Sequence, residues 1–203
     1  MNSSKLLLLI FLVFYNTSCS EKQETVQSLV DRGVDFVNRK EFEAGIALYS
    51  KAIKQNPRVQ LAYYNRGIAY SELKDYAKAI ADFDKVILLK SNVVTMLDRD
   101  LKPSAEGQGQ VEYGAVFYQR AVVESARDSL QRSFNDFQRA IENRYPDSSN
   151  CLLWQGILLA RAGKQENACK YFEKAKKAAE TTDQQKEAVD MITRYCADTK
   201  NKP

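Results

Sequence analysis

Four cysteines and no histidine define the chemistry open to this chain of 203 residues. Without an imidazole, His-based general acid–base catalysis is closed, as are the Ser-His-Asp and Cys-His nucleophile systems and the usual zinc enzymes. A carboxylate or lysine mechanism would remain. The acidic residues, however, offer no pair whose setting differs from an exposed helix face. The cysteines fall at 19, 151, 169 and 196. Basic residues are interleaved with acids, 30 against 26 with a net charge of +4, and form no stripe that could follow a phosphate backbone. The densest basic run, Lys170 to Lys177, also holds Phe172, Glu173 and Ala175 and reads as a solvated helix face. The expectation is a protein that binds rather than catalyses, with no cofactor, no metal and no nucleic acid.

Cys19 has a context of its own. Lys5 precedes the nine-residue apolar run Leu6 to Phe14, the pattern of a secretory leader. The run is too short to cross a bilayer as a helix, which takes about 20 residues. Thr17-Ser18-Cys19 then resembles a bacterial lipobox, with Asn16 in place of the usual Leu. That resemblance implies cleavage after residue 18 and lipidation of Cys19, with the more-than-one-chain anchoring that stable membrane attachment needs. The alternative is an ordinary cleaved signal peptide with an incidental cysteine. Ser20, directly after the cysteine, resembles the Gram-negative pattern sent to the outer membrane. Residues 1–18 are thus expected to be the leader and 19–25 a tether.

The elements that position everything else repeat. Arg32-Gly33-Val34-Asp35-Phe36 returns 34 residues later as Arg66-Gly67-Ile68-Ala69-Tyr70. Phe42, Ile46, Tyr49 and Ile53 return as Tyr76, Ile80, Phe83 and Ile87. A fixed period of this length signals stacked units, each too small to bury its own core. Leu29, Gly33, Phe36 and Val37 lie three or four apart on one face of a first helix. Lys40-Glu41 marks a turn, a second helix carries Phe42, Ile46, Tyr49, Ala52 and Ile53, and Pro57 closes it. Gly33 and Gly67, with Gly45 and Ala79, let the two helices approach closely.

These residues resemble the tetratricopeptide repeat (TPR). Unit one supplies the family's pattern as Gly33, Phe36, Gly45, Tyr49, Ala52 and Pro57, and unit two as Gly67, Tyr70, Ala79, Phe83 and Val86. Unit three is degenerate, with Ala121, Glu124, Ser133, Phe137, Ala140 and Pro146; unit four has Gly156, Leu159, Ala168, Phe172 and Ala175. The resemblance implies an all-α, right-handed α-solenoid of helix-turn-helix units: units 1–2 over 26–91 and degenerate units 3–4 over 112–181. About 20 extra residues separate units two and three, an insert over 92–111 whose first half is apolar and whose second half is loop chemistry. Residues 182–198, with Ala188, Met191, Ile192 and Tyr195 on one face, read as the capping helix that an array needs.

The resemblance also implies a concave groove lined by the first helices. The family's fifth positions are Val30, Tyr64, Tyr118 and Leu153, and its ninth are Val34, Ile68, Val122 and Ile157. This is an apolar row with two tyrosines at its middle. The Lys and Asn of the chaperone-tail clamp are replaced by Val30 and Val34, so that activity is not expected. The row can be read as interhelical core, as a groove for an extended or helical segment anchored by Tyr64 and Tyr118, or as a face covered by the insert or by a second copy in a homodimer. In an exported array the simplest expectation for the remaining cysteines is one disulfide and one spare thiol. Cys169, early in one helix, and Cys196, late in the next antiparallel helix, would meet at one end of the stack. The alternative is three buried thiols. The leading functional expectation is a membrane-tethered adaptor of the bacterial cell envelope, at the outer membrane, that binds another envelope protein or peptide segment. The alternative is a secreted, self-associating structural component with no lipid anchor.

Overall fold

Each 34-residue period folds as two antiparallel helices because its apolar residues recur at helical spacing and its turns stop each helix sharply. A computed structural model describes residues 24–90 and 111–197. The leader, Cys19, all of the 92–111 insert except Val111, and the last six residues lie outside the described residues. Nine helices are found among those described: α1 (Val26–Asn38), α2 (Phe42–Gln55), α3 (Gln60–Glu72), α4 (Tyr76–Lys90), α5 (Tyr113–Ala126), α6 (Leu130–Glu142), α7 (Ser148–Arg161), α8 (Gln165–Ala178) and α9 (Thr182–Cys196). Each helix packs on its sequence neighbours, and α1 also touches α3, as α3 touches α5. The result is the expected all-α solenoid, with four helix pairs and one terminal helix. No helix among the described residues is long and apolar enough to cross a membrane.

Caps and turns set the boundaries. Thr25 begins α1 by accepting the Ser28 N–H at 3.2 Å, an N-cap bond that satisfies one of the helix's free donors. Within the units the chain reverses through a left-handed residue at Lys40 (φ 63°), Lys74 (φ 61°), Asp128 (φ 59°) and Gly163 (φ 73°). Only unit four places the residue suited to that conformation there. A capping box at Thr181 and Gln184 starts α9.

The pairs interlock at one point. A Cβ on Gly33 would lie 2.4 Å from the Tyr49 ring, one on Gly67 2.8 Å from the Phe83 ring, and one on Gly156 2.4 Å from the Phe172 ring. Each aromatic follows its glycine by 16 residues, and its ring occupies the space a side chain would fill. Unit three has Ala121 and Phe137 in these places, both fully buried in one cluster. Four such clusters run along the array; the last joins Phe172, Ala175 and Leu153 to Ala188 and Cys196 of α9. A disulfide links Cys169 to Cys196, with Cα atoms 5.8 Å apart, fastening the terminal helix to unit four. Cys151 is a free, buried thiol, and burial first of all pushes its pKa up to about 12.

Candidate functional site

The first helices α1, α3, α5 and α7 present the residues assigned to the groove, four residues apart within each helix. Val34, Ile68, Val122 and Ile157 are all half-buried, so each keeps part of its apolar surface open. Val30 and Leu153 are different. Val30 is enclosed in the core of unit one with Leu48, Tyr49 and Ala52. Leu153 packs with Ala168 and Phe172 in unit four. At the two ends of the array the fifth position therefore faces the partner helix, and these two residues are core rather than lining.

Tyr64 and Tyr118 are half-buried and held in place. Tyr64 tilts against Phe83 at 6.1 Å between centroids. Tyr118 stacks on Tyr145 at 4.5 Å and 12° and meets Phe137 edge-on at 5.6 Å. Trp154 stacks on Phe137 at 6.0 Å. Such geometries add roughly 0.5–1.5 kcal/mol per pair beyond area burial. Desolvation raises the pKa of the Tyr64 and Tyr118 hydroxyls and pushes that of Tyr145 up to about 12. The middle of the row is thus a rigid aromatic platform. It extends further than the sequence indicated, because Tyr145 comes from the link after α6 and Trp154 from α7. Arg161 donates to the Ser125 hydroxyl at 3.0 Å and to Asp128 at the neighbouring turn.

The opposite side of the same helices is polar. Arg66 makes a two-pronged ion pair with Asp82, both bonds at 2.8 Å, and donates to the Ser50 hydroxyl at 2.9 Å. Arg120 repeats the motif one unit later, bonding Asp136 at 2.7 and 2.8 Å and also reaching Asp84. Each arginine precedes its aspartate by 16 residues and ties α3 to α2 and α4, or α5 to α4 and α6. This recurrence was present in the chain as Arg66/Asp82 and Arg120/Asp136. It passes unnoticed when only apolar positions are aligned. Among the described residues no group of three or more His, Cys, Asp or Glu could hold a metal ion.

Two family models, both described as tetratricopeptide repeat, match the chain, one over residues 61–93 and one over 118–181. The small glutamine-rich tetratricopeptide repeat-containing protein 2 of Saccharomyces cerevisiae is 25% identical over 126 residues, which is 61% of this chain and 36% of the relative. The chain therefore spans about a third of that relative's length. MamA from Desulfovibrio magneticus RS-1 superposes with a TM-score of 0.64 at 15% identity, covering 80% of each chain. YrrB, described as a TPR protein with an unusual peptide-binding site, gives 0.60 at 17% identity over 92% of this chain and 93% of its own. The first TPR of Spaghetti (RPAP3), bound to an HSP90 peptide, gives 0.56 at 17% identity over 70% and 96%. At these identities the structural likeness concerns the fold.

Proposed function

Because the chain belongs to the tetratricopeptide repeat family, we propose that it is a lipid-tethered adaptor of a bacterial cell envelope that holds a segment of another envelope protein along its first helices. The fold is that of a protein-interaction scaffold, and such arrays offer extended surfaces rather than reaction centres. The observation that carries the reading is the half-buried row Val34, Ile68, Val122 and Ile157, flanked by Tyr64 and Tyr118. Aromatic side chains already fixed by neighbours lose little conformational entropy on binding, so they make good anchors. The peptide held by the Spaghetti repeat and the peptide-binding site of YrrB support a peptide segment as the ligand class. With Val30 and Val34 at the clamp positions, recognition here is apolar, and it should depend weakly on salt.

The tether rests on Leu6 to Phe14 followed by Thr17-Ser18-Cys19, and the outer membrane as its location rests on Ser20. Metabolic labelling with a palmitate analogue tests it: wild type should incorporate label and Cys19→Ala should not. A Cys19→Ala protein that still fractionates with membranes after carbonate washing would place the anchor elsewhere. The groove is tested by a photocrosslinking residue at Ile68, with one at Lys51 on a second helix as control. A defined adduct should form from position 68 alone and disappear in Tyr64→Ala/Tyr118→Ala, provided circular dichroism shows that variant folded. An adduct that survives the folded double variant removes the groove from the mechanism; an adduct of twice the chain's own mass identifies the occupant as a second copy.

A further inference from the structure

Glu124 is out of place. At its position in the repeat the other units carry Phe36, Tyr70 and Leu159, so a carboxylate stands where the array elsewhere uses an apolar side chain. Its side chain is only 3% exposed, and Oε2 accepts no hydrogen bond from the protein. A buried acceptor left without a donor is costly, and it asks what supplies one. Glu124 lines a cleft of about 370 Å3 between α4, α5 and α6, together with Asp84, Arg120, Arg132, Asp136 and Arg139.

Each arginine of the cleft is engaged with a carboxylate, and Asn135 also lines the wall, its Oδ1 accepting from Gln131. Arg120 gives Nε and Nη2 to Asp136 and Nη1 to Asp84, and Arg139 gives Nη1 to Asp136 at 3.3 Å. Arg132 alone reaches Glu124. It does so with one nitrogen on Oε1 at 3.2 Å, from a side chain 75% exposed. That is a single, long bond from a solvated group, where a guanidinium in good geometry would take both carboxylate oxygens at once.

We propose that this cleft is a receptor for a guanidinium side chain presented by a protein partner, with Glu124 as the acceptor and Arg132 as an internal placeholder that the ligand displaces. Charge favours this class of ligand. Three arginines and three carboxylates line the cleft, so the wall is neutral. An incoming guanidinium that replaces Arg132 preserves that balance, and Arg132 returns to solvent, where most of it already lies. An anion would find every arginine of the wall already paired with a carboxylate and would meet the carboxylate of Glu124. The site is independent of the apolar row. Arg120 and Glu124 each follow a row residue, Tyr118 and Val122, by two positions, which turns them about 200° around α5.

The test is a chemical-shift titration of the full chain in detergent micelles, observing the side-chain Nε–H signals of arginine. The probes are N-acetyl-arginine methylamide and its uncharged isostere N-acetyl-citrulline methylamide. Saturable shifts of the Arg132 and Arg120 signals are expected with the first probe only. Glu124→Gln should weaken binding at least tenfold, and Arg132→Ala should tighten it about threefold or more by removing the competitor. If Glu124→Gln proves misfolded by circular dichroism, Arg132→Ala decides alone. A cleft that holds only water overturns the proposal: no saturable shift with the arginine probe, equal binding of the citrulline probe, or unchanged or weaker binding in Arg132→Ala.

Discussion

Removing Asp82 should test whether the polar side of the array holds its register. Arg66 and Asp82 have side chains only 18% and 8% exposed, so the pair lies well outside the class of surface bridges worth about 0–1 kcal/mol. Breaking a buried pair by deleting one partner typically costs about 3–5 kcal/mol, because the remaining charge stays desolvated. Arg66 keeps its bond to the Ser50 hydroxyl at 2.9 Å and has a stem long enough to move outward. Asp82→Ala should therefore fall at the lower end, about 3 kcal/mol. For a domain of this size that is a drop in Tm of roughly 6–12 °C. Removing both charges is a different perturbation. Unit one carries buried Leu48 at the position equivalent to Asp82, so an apolar residue there is compatible with the repeat. Arg66→Leu/Asp82→Leu should recover stability to within about 1 kcal/mol of wild type, as buried pairs replaced by apolar residues often do. Thermal and urea unfolding of wild type, Arg66→Leu, Asp82→Leu and the double variant complete a double-mutant cycle. Additive losses, or an Asp82→Ala shift of less than about 1 kcal/mol, would refute the reasoning and leave Arg66 as a solvated surface residue.

Gly67→Leu should cost about 3 kcal/mol or more, since a single Cβ already meets the Phe83 ring at 2.8 Å; unchanged urea unfolding would show that the helices of unit two do not meet there. Reducing Cys169–Cys196, which closes a loop of 27 residues, should remove at most about 3.5 kcal/mol by chain entropy, and hydrogen exchange should rise first in α9; uniform exchange after reduction would argue against a local tether. Cys151 should resist iodoacetamide at pH 8 in the folded chain and react on unfolding, because burial raises its pKa; prompt alkylation of native protein contradicts this. Tyr145 and Cys151 have folded pKa values above their ordinary 10.0 and 9.0. Above about pH 9 the unfolded chain therefore holds fewer protons than the folded one, and stability should fall from there through about pH 12. A flat stability profile across that range rejects it.

The array was legible because its evidence is periodic. Glycines at 33, 67 and 156 and aromatics 16 residues later repeat at fixed spacing, and the structure places each ring against its glycine. The terminal helix was legible for a related reason: Ala188, Met191, Ile192 and Tyr195 share one face, and that face is the side packed on unit four. The groove was less so. Positional equivalence treats Val30, Tyr64, Tyr118 and Leu153 as one set. Exposure, however, depends on what stands opposite: core side chains enclose Val30 and Leu153, whereas the two tyrosines pack against the core and stay half-buried. The Tyr118–Tyr145 stack could not be read at all, because Tyr145 belongs to a link between helices where no period operates.

The same logic explains why this fold carries two kinds of surface. A helix sandwiched in a solenoid must seal itself against neighbours on two sides, which leaves two strips free to differ. In α3 and α5 one strip is apolar, with Tyr64 and Ile68 or Tyr118 and Val122, and the strip two residues on is charged, with Arg66 or Arg120. The charged strip is largely consumed by internal pairing, as Arg120 shows by donating from all three of its nitrogens. Buried pairs of this sort add little net stability over apolar packing, but mispairing them would strand a charge. Their effect is therefore to penalise a slipped stack more than to reward the correct one. A stack held in one register keeps Tyr64 and Tyr118 at a constant separation, and a fixed separation is what lets two anchors act on one bound segment.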